Sequence, residues 1–294
     1  MARYLTLYIS PELAGAEVNT LLRRHLHLSG TLLRRVKWLS DGILLDGIRV
    51  TVRARVAAGQ TLSVRLAPPE HSTGVIPAPG PLDILWEDAD LVVLNKSPGV
   101  LVHPGHGHYA DTIGNFLLHH WQAGGDPSNF HPVHRLDKGT SGLLVVARHP
   151  HGQERLKLQL HTGSFVRRYL ALCEGCPQPL CGTVEAPLRA FHMAQEVHPD
   201  GKRAITHYRV LQTAGSRSLV ELTLETGRTH QIRVHMAYLG CPLAGDFLYG
   251  REGPPGRPAL HSAYAVFDHP ITGKRLAFSL PLPEDMKQLL QKSV

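Results

Sequence analysis

Two short segments carry more charged and reactive side chains than their surroundings require. The first, residues 134–142, places Arg135, Asp137 and Lys138 directly ahead of an apolar run and includes two glycines. Glycine lets a backbone approach a ligand closely, and a carboxylate among cations is suited to acid–base or nucleophilic chemistry. The alternative is a salt-bridged turn in which Asp137 caps its own loop.

The second segment, residues 227–236, opens a helix and contains Arg228, Arg233 and two histidines. The helix dipole favours acidic side chains at this end, so cations there are unfavourable. We therefore expect a group elsewhere in the chain, or a ligand, to require them. The alternative is a frayed turn whose arginines face solvent.

Histidines and cysteines raise the question of a metal. Five histidines fall in or after a Gly- and Pro-containing loop, at positions His103, His106, His108, His119 and His120. Their spacing matches no tight ligand pattern, and the C-x-x-C pair Cys173 and Cys176 has no second pair. Cys173 lies in an alternating stretch, which favours a small buried apolar role. Phosphate-loop, G-x-G-x-x-G and G-x-S-x-G motifs are absent from the sequence, so we expect neither a metal nor a cofactor.

The elements that must position these segments are mostly strands. Apolar patterning predicts strands at 83–96 (two, around a turn at 87–90), 141–148, 165–174, 206–211 and 219–225. Helices are expected over 151–161 and from a cap at Thr229 to Leu239. Runs of antiparallel-type strands with few helices predict an α+β fold with a mixed, mainly antiparallel sheet.

Residues 1–66 form a predicted module of their own. Apolar spacing indicates a helix from Val18, and Thr31 is expected to cap a second helix. The solvent side of that second helix would carry three cations, Arg34, Arg35 and Lys37. Asp46-Gly47 between apolar residues is a strong hairpin signal. A Pro-rich segment, 67–82, is predicted to link this module to a body spanning 83–294.

The formal net charge of +7 is unevenly distributed. Residues 1–70 hold ten Lys/Arg and five Asp/Glu, whereas the rest of the chain holds 21 and 19. A basic module on a nearly neutral body indicates a polyanionic partner. No apolar run reaches the ~18 residues of a membrane span, and no signal peptide is evident at the start. With four cysteines in 294 residues, we expect a cytoplasmic protein without membrane contact.

Residues 134–142 strongly resemble the catalytic motif of the RluA-type pseudouridine synthases, which isomerise uridine to pseudouridine in RNA. Residues 83–105, 168–171, 202–211 and 261–281 resemble other parts of that family's catalytic domain, with Ser97 where the family usually has proline. The first module resembles the small RNA-binding domain named after ribosomal protein S-four, although its second helix departs from that domain's Ser-Arg pattern. The resemblance implies a catalytic domain of pseudouridine synthase type, preceded by a small α/β-hairpin RNA-binding domain.

The resemblance also implies roles for individual residues. Asp137 acts at the ribose, either as a nucleophile on C1′ or as a base. Arg233 pairs with it and opposes the protonation that desolvation favours, and Tyr169 stacks on the uracil. The predicted substrate-binding set comprises Arg135, His134, Thr140, Arg228 and Lys96. Within it, Arg135 is expected to enter the helix stack as the uridine leaves, while His134 supports the loop.

The implied substrate is structured RNA. The appended module favours large-subunit ribosomal RNA, with transfer RNA as the alternative. A catalytically inactive RNA-binding protein is a competing class, and a glycoside hydrolase would need a second carboxylate. Isomerisation involves no net redox change or group transfer, so it requires no cofactor or metal, and we expect a monomer.

Overall fold

A computed structural model describes residues 3–66, 74–126 and 128–291. The described chain forms a four-stranded sheet, a ten-stranded sheet and a separate two-stranded hairpin. All but one of the strand pairs between named strands are antiparallel, the exception being a short parallel pair in the large sheet. This confirms the predicted α+β class with a mixed, mainly antiparallel sheet.

The small sheet and two helices form the N-terminal part. Its strands are β1 (Tyr4–Tyr8), β2 (Ile43–Leu45), β3 (Ile48–Arg49) and β4 (Thr61–Arg65), in the order β1-β4-β2-β3. The helices are α1 (Val18–Arg24) and α2 (Gly30–Val36), and their leucines pack on the sheet in a hydrophobic core of their own. Asp46 and Gly47 have φ of +51° and +80°, which confirms the predicted hairpin turn.

The start of α2 differs from the prediction. Ser29, rather than Thr31, is the N-cap, because its backbone is extended and its hydroxyl accepts a hydrogen bond from the Leu32 N–H. Thr31 lies inside the first turn, where its hydroxyl accepts a hydrogen bond from Arg34. The Ser29 hydroxyl also donates to Glu154 of the body at 2.8 Å.

The body contains the other twelve strands of the described chain. These are β5 (Ile84–Glu87), β6 (Leu91–Lys96), β7 (His131–Pro132), β8 (Ser141–Ala147), β9 (Val166–Glu174), β10 (Cys181–Glu185), β11 (Leu188–Phe191), β12 (Ala194–Val197), β13 (Ile205–Ala214), β14 (Arg217–Leu224), β15 (Leu260–Asp268) and β16 (Arg275–Ser279). The large sheet runs β10-β13-β14-β9-β15-β8-β6-β5, with β16 beside β15 and β7 beside β8. β11 and β12 form the separate hairpin.

Four helices accompany these strands: α3 (Ile113–Ala123), α4 (Pro150–Thr162), α5 (Gln231–Tyr238) and α6 (Glu284–Gln291). The predicted cap of α5 is wrong by one residue, since His230, not Thr229, precedes the helix. His230 adopts a left-handed conformation with φ of +54°, and no side chain caps the helix there. The Gln231 side chain instead accepts a hydrogen bond from the Arg228 N–H and fixes the turn.

Strand β8 is the centre of the body. All seven of its residues are buried, and the five from Leu143 to Ala147 alternate between two hydrophobic cores on opposite faces of the sheet. At its start, Gly142 pairs with Ser262 of β15 in the parallel ladder. A Cβ at Gly142, where φ is +105°, would lie 2.3 Å from the Ser262 carbonyl oxygen. Only glycine therefore lets the loop before β8 sit this close to β15.

The N-terminal part contacts the body directly. Arg3 donates two 2.8 Å hydrogen bonds to Asp90, a buried carboxylate at the β5–β6 turn. Residues 67–73 of the predicted linker lie outside the described residues, and 74–82 form neither helix nor strand. The division at 66 and 83 stays a prediction. None of the helices described is long and apolar enough to cross a membrane.

Candidate active site

Both sequence segments line one cavity of about 370 Å³. The loop between β7 and β8 supplies Asp137, and β9 supplies Tyr169. The turn before α5 and the helix itself supply Arg228 and Arg233. Residues far apart in the sequence thus meet where strand ends converge on a helix start, a usual location for a ligand site.

Asp137 is held in place mainly by its backbone. Its carbonyl accepts a 3.0 Å hydrogen bond from the Thr140 N–H, and the neighbouring Lys138 carbonyl accepts one from the Gly99 N–H at 2.8 Å. The Asp137 side chain remains 18% exposed. Its nearest cation is Arg233, with 3.9 Å between Nη1 and Oδ2. That separation gives an ionic attraction without a hydrogen bond.

Arg233 is buried and is bound chiefly by a different carboxylate. Its Nε and Nη2 each donate a 2.7 Å hydrogen bond to Asp246, which is completely buried. Burial opposes the charge, but the hydrogen bonds donated to Asp246 and its negative charge outweigh this effect and raise the pKa of Arg233. The guanidinium also lies 5.0 Å from the Tyr249 ring centroid. This bidentate pair explains how a cation is tolerated in the first turns of α5.

Asp246 was not among the predicted residues. It is the one charged residue between positions 237 and 250, in a segment rich in apolar and aromatic side chains. An isolated acid in such a segment is a signal for a buried charge with a partner. Nothing in the local pattern identifies Arg233 as that partner, because the pairing depends on how α5 and the next loop fold together.

Tyr169 is buried in the cavity wall on β9. Arg167, two residues earlier, points to the same face of the strand and also lines the cavity. Arg167 is buried, and its Nε has no hydrogen-bond partner within the described residues. Period-two alternation on β9 could have identified this second residue.

The remaining predicted loop residues occupy different positions around the cavity. Arg135 is exposed at the rim, and Arg228 is exposed with its Nε donating to the Arg203 carbonyl. Thr140 is buried, and its hydroxyl has no partner in the part of the chain that is described. His134 accepts a hydrogen bond from the Val145 N–H at Nε2. Burial, assisted by the charge of Arg167, lowers the pKa of His134 to about 3, so this ring is neutral.

Lys96 is placed differently from the other predicted substrate-binding residues. It is only 1% exposed and does not line the cavity. Its Nζ donates to the carbonyls of Ser97, Val100 and Lys138 beneath the Asp137 loop. Burial lowers the pKa of Lys96 to about 7, although the charge of Asp137 opposes the shift. In this position the ammonium group is hydrogen-bonded to backbone carbonyls, including one of the Asp137 loop, and lies outside the cavity lining.

The other candidates lie away from the cavity. Arg34 and Arg35 are exposed on α2 and Lys37 follows it, so all three belong to the N-terminal part. The histidines after position 102 are dispersed among different partners. His108 contacts Asp111, and His120 contacts Glu87. Cys173 is buried, and burial raises the pKa of its thiol.

The arrangement presents the partly exposed Asp137 carboxylate to a cavity of mixed polar and apolar lining, with an aromatic wall and a cationic rim. Glu225 also lies at the cavity edge, but it hydrogen-bonds His207 at 2.8 Å. Such a site is suited to a flat polar ring attached to anionic groups. The Asp137 carboxylate would act on the atom to which that ring is attached.

Comparison with known proteins gives consistent matches. A family model described as RNA pseudouridylate synthase matches residues 90–238. The uncharacterized RNA pseudouridine synthase YjbO of Bacillus subtilis is 39% identical over 270 residues, 90% of this chain and 95% of that protein. Ribosomal large subunit pseudouridine synthase D of Escherichia coli is 38% identical over 280 residues, 87% and 85% of the two chains.

A solved structure shows the same architecture. Human RNA pseudouridylate synthase domain containing 4 superposes with a TM-score of 0.59 and 26% sequence identity. The match covers 71% of this chain and 92% of the human one.

Proposed function

The chain belongs to the RNA pseudouridine synthase family, and from that premise we propose that it isomerises specific uridines of large-subunit ribosomal RNA, with Asp137 as the catalytic carboxylate. The observation that supports this most is the placement of Asp137. It faces the cavity with Arg233 at 3.9 Å, and Asp246 holds that arginine in place.

The reaction breaks the bond between ribose C1′ and uracil N1 and forms a bond between C1′ and C5. The proton on C5 is lost and N1 gains one, so the product is an isomer of the substrate. Asp137 would either attack C1′ and form a transient ester, or remove a ribose proton. Both routes need an ionised carboxylate whose oxygens are free.

Arg233 meets that need in the proposed mechanism. A fixed cation favours the charged form of a nearby carboxylate. Because the guanidinium already donates two hydrogen bonds to Asp246, it stabilises Asp137 without occupying its oxygens.

The rest of the cavity would bind the nucleotide. Tyr169 offers an aromatic face for uracil, and Arg167 offers an unpaired N–H in the same wall. A base inside a helix must leave the stack before its glycosidic bond can react, at a cost of a few kcal/mol. Arg135, exposed at the rim, would fill the vacated place, and Arg228 would contact phosphate.

Ribosomal RNA is the favoured substrate for two reasons. Relatives at 38–41% identity are named ribosomal large subunit pseudouridine synthase D. The basic N-terminal part, with Arg34, Arg35 and Lys37, adds a second cationic surface suited to a large RNA. Pseudouridine mapping in a deletion strain tests the choice, since a missing modification in transfer RNA alone would overturn it.

Asp137→Asn tests the catalytic assignment. Asparagine keeps the shape of aspartate but carries no charge and cannot attack or deprotonate the ribose. We expect product to be undetectable on a uridine-containing stem-loop, with the melting temperature and RNA affinity nearly unchanged. Binding depends on many phosphate contacts, so one lost carboxylate should not weaken it.

Asp200→Asn is the matched control, because Asp200 is an exposed carboxylate (85%) outside the cavity. It should retain full turnover. Substantial product from a folded Asp137→Asn variant would overturn the proposed mechanism. A wild-type protein that binds RNA but forms no pseudouridine would favour the inactive RNA-binding alternative.

A further inference from the structure

Trp38 is unusually exposed for a tryptophan. It lies just after α2 and is 75% accessible, whereas Trp121 is 2% accessible. Large aromatic side chains dominate cores and interfaces because they bury so much apolar area. An indole left open to solvent offers its ring face to another molecule.

One cation lies over this indole and another is hydrogen-bonded to the backbone of the same residue. Lys37 Nζ lies 4.9 Å from the ring centroid, and Arg49 on β3 donates a 3.4 Å hydrogen bond to the Trp38 carbonyl. Arg34 donates a 3.4 Å hydrogen bond to the Thr31 hydroxyl. Among residues 3–66, 74–126 and 128–291, none of Lys37, Arg34 and Arg49 pairs with a carboxylate. These charges are thus available to an anionic partner.

We propose that Trp38, flanked by Lys37 and Arg49, is a stacking site for an unpaired RNA base whose neighbouring phosphates contact the cations. The inference rests on the proposed function and deepens it. It requires that the substrate carry an unpaired nucleotide outside the stem that holds the target uridine.

An unpaired base fits this surface better than the other occupants do. A paired duplex presents phosphates and sugars, to which an indole adds little, whereas a free base has a π-face that stacks on any aromatic ring. An apolar protein partner would have to desolvate the unpaired cations around the ring, which is costly. Exposed aromatic side chains interleaved with cations are typical of single-stranded RNA recognition.

Tryptophan fluorescence gives a direct test. The full-length protein is titrated with two RNA stem-loops, one carrying a single-stranded overhang and one with blunt ends. We expect the overhang RNA to quench emission. Trp38→Phe should lose the quenching and retain affinity, whereas Trp38→Ala should bind the overhang RNA about 5- to 100-fold more weakly. On the blunt RNA, Trp38→Ala should match the wild type.

Salt dependence separates stacking from charge. Trp38→Ala should leave the slope of log K against log salt unchanged, and Lys37→Ala should reduce it by about 1. Tyr8→Ala is the matched control, since Tyr8 is 66% exposed on β1 of the same module without a cation on its ring. It should not change the affinity.

The proposal is overturned if Trp38→Ala binds the overhang RNA as tightly as the wild type, or is weakened equally on both RNAs. It is also overturned if only a ribosomal protein, and no RNA, quenches the indole. Pseudouridine formation on saturating blunt stem-loop is measured in parallel. If the wild-type protein forms no pseudouridine on that RNA, the proposed function is contradicted. If it does form pseudouridine, a negative quenching or affinity result counts against the Trp38 site alone.

Discussion

Arg233 faces two carboxylates, and the two contacts differ in kind. Asp246 receives two hydrogen bonds of 2.7 Å, while Asp137 lies 3.9 Å away. The contact with Asp246 fixes the guanidinium in place. Across the longer distance to Asp137, the guanidinium acts only through its charge. In the proposed mechanism this difference keeps Asp137 charged and reactive at once, because a direct hydrogen bond would reduce its basicity and nucleophilicity.

Asp246→Asn should therefore harm both stability and turnover. Arg233 would lose its ionic partner while remaining buried, which costs about 3 kcal/mol, and its guanidinium would be free to bond Asp137 directly. We expect at least a 100-fold lower kcat, a ~10²-fold effect typical of a misplaced catalytic group. Chemical denaturation and single-turnover assays measure the two effects. Glu196→Gln, in the exposed pair with Arg189, should change stability by under about 1 kcal/mol and leave turnover intact.

Lys96→Met tests whether this lysine holds the loop or binds RNA. Methionine has a similar length but donates no hydrogen bonds to the three carbonyls beneath Asp137. We expect kcat to fall about 10- to 100-fold, because a displaced catalytic loop is costly, with RNA affinity within twofold. A raised KM with unchanged kcat would instead return Lys96 to the substrate-binding set. Removing a buried charge and removing its hydrogen bonds act oppositely on stability, so melting is recorded as a control.

The resemblance to family motifs predicted residues that belong to continuous segments and missed those that depend on packing. Asp137, Arg233 and Tyr169 lie within patterns that can be read along the chain, and all three line the cavity. Their catalytic roles stay predictions. Asp246 and Arg167 join the site only because a loop after α5 and one face of β9 fold against it.

Helix α2 starts where backbone geometry allows a cap, and residue type alone does not locate that position. Thr31 and Ser29 are both good capping residues, yet only Ser29 has an extended backbone with its hydroxyl on the Leu32 N–H. Helix α3 was not predicted at all. Thr112 and Asn115 form its capping box, in place of the usual Glu or Gln partner, and Asn115 occupies a buried position that interrupts the apolar period.

Strands were more predictable because their signals are local. Asp46-Gly47 determines a turn by itself, and the uninterrupted apolar run of β8 indicates burial on both faces. The hairpin of β11 and β12 gave no such signal, since its residues are mostly half-buried or exposed and it pairs with no other strand.

Ser29→Ala should cost more than a cap alone. It removes the hydrogen bond to Leu32, worth about 1 kcal/mol, and also the 2.8 Å contact with Glu154 on α4. We expect a loss of about 1–2 kcal/mol in urea denaturation, whereas Thr31→Ala should stay within about 0.5 kcal/mol. Equal effects of the two substitutions would contradict the assigned cap.

At the scale of the whole molecule, the N-terminal part is joined to the body by polar contacts as well as by the chain. Arg3 forms a bidentate pair with buried Asp90, and His149 hydrogen-bonds the same carboxylate. Burial opposes the charge on Asp90, but these hydrogen bonds outweigh it and hold the pKa of Asp90 below its usual value. Removing the N-terminal part would leave this buried carboxylate without its arginine.

Three histidines, two of them almost fully buried, are expected to set much of the response of the fold to acid. Burial lowers the pKa of His134 and His151 to about 3 and that of His261 to about 4. Nearby cations or histidines add to the shift in each case. All three rings are therefore neutral in the folded protein at pH 5, whereas in the unfolded chain they titrate near the usual value of about 6.5.

As the pH is lowered from 7, the fold should therefore lose stability at a higher pH than that at which its carboxylates take up protons. Between pH 6.5 and 4 the unfolded chain binds more protons than the folded one, so the free energy of unfolding falls as the pH falls. The stabilisation that each neutral ring contributes is complete above about pH 6.5. By pH 5 the free energy of unfolding falls by up to about 2 kcal/mol for each histidine. The Asp90 carboxylate affects the free energy of unfolding only below about pH 4. Its pKa in the unfolded chain is near that pH, and its pKa in the folded protein is lower. Urea denaturation at pH 7, 6 and 5 measures the slope of the free energy of unfolding against pH. His151→Gln should lower that slope by the equivalent of about one bound proton. A free energy of unfolding that stays constant from pH 7 to 5 would show that these rings are protonated in the folded state.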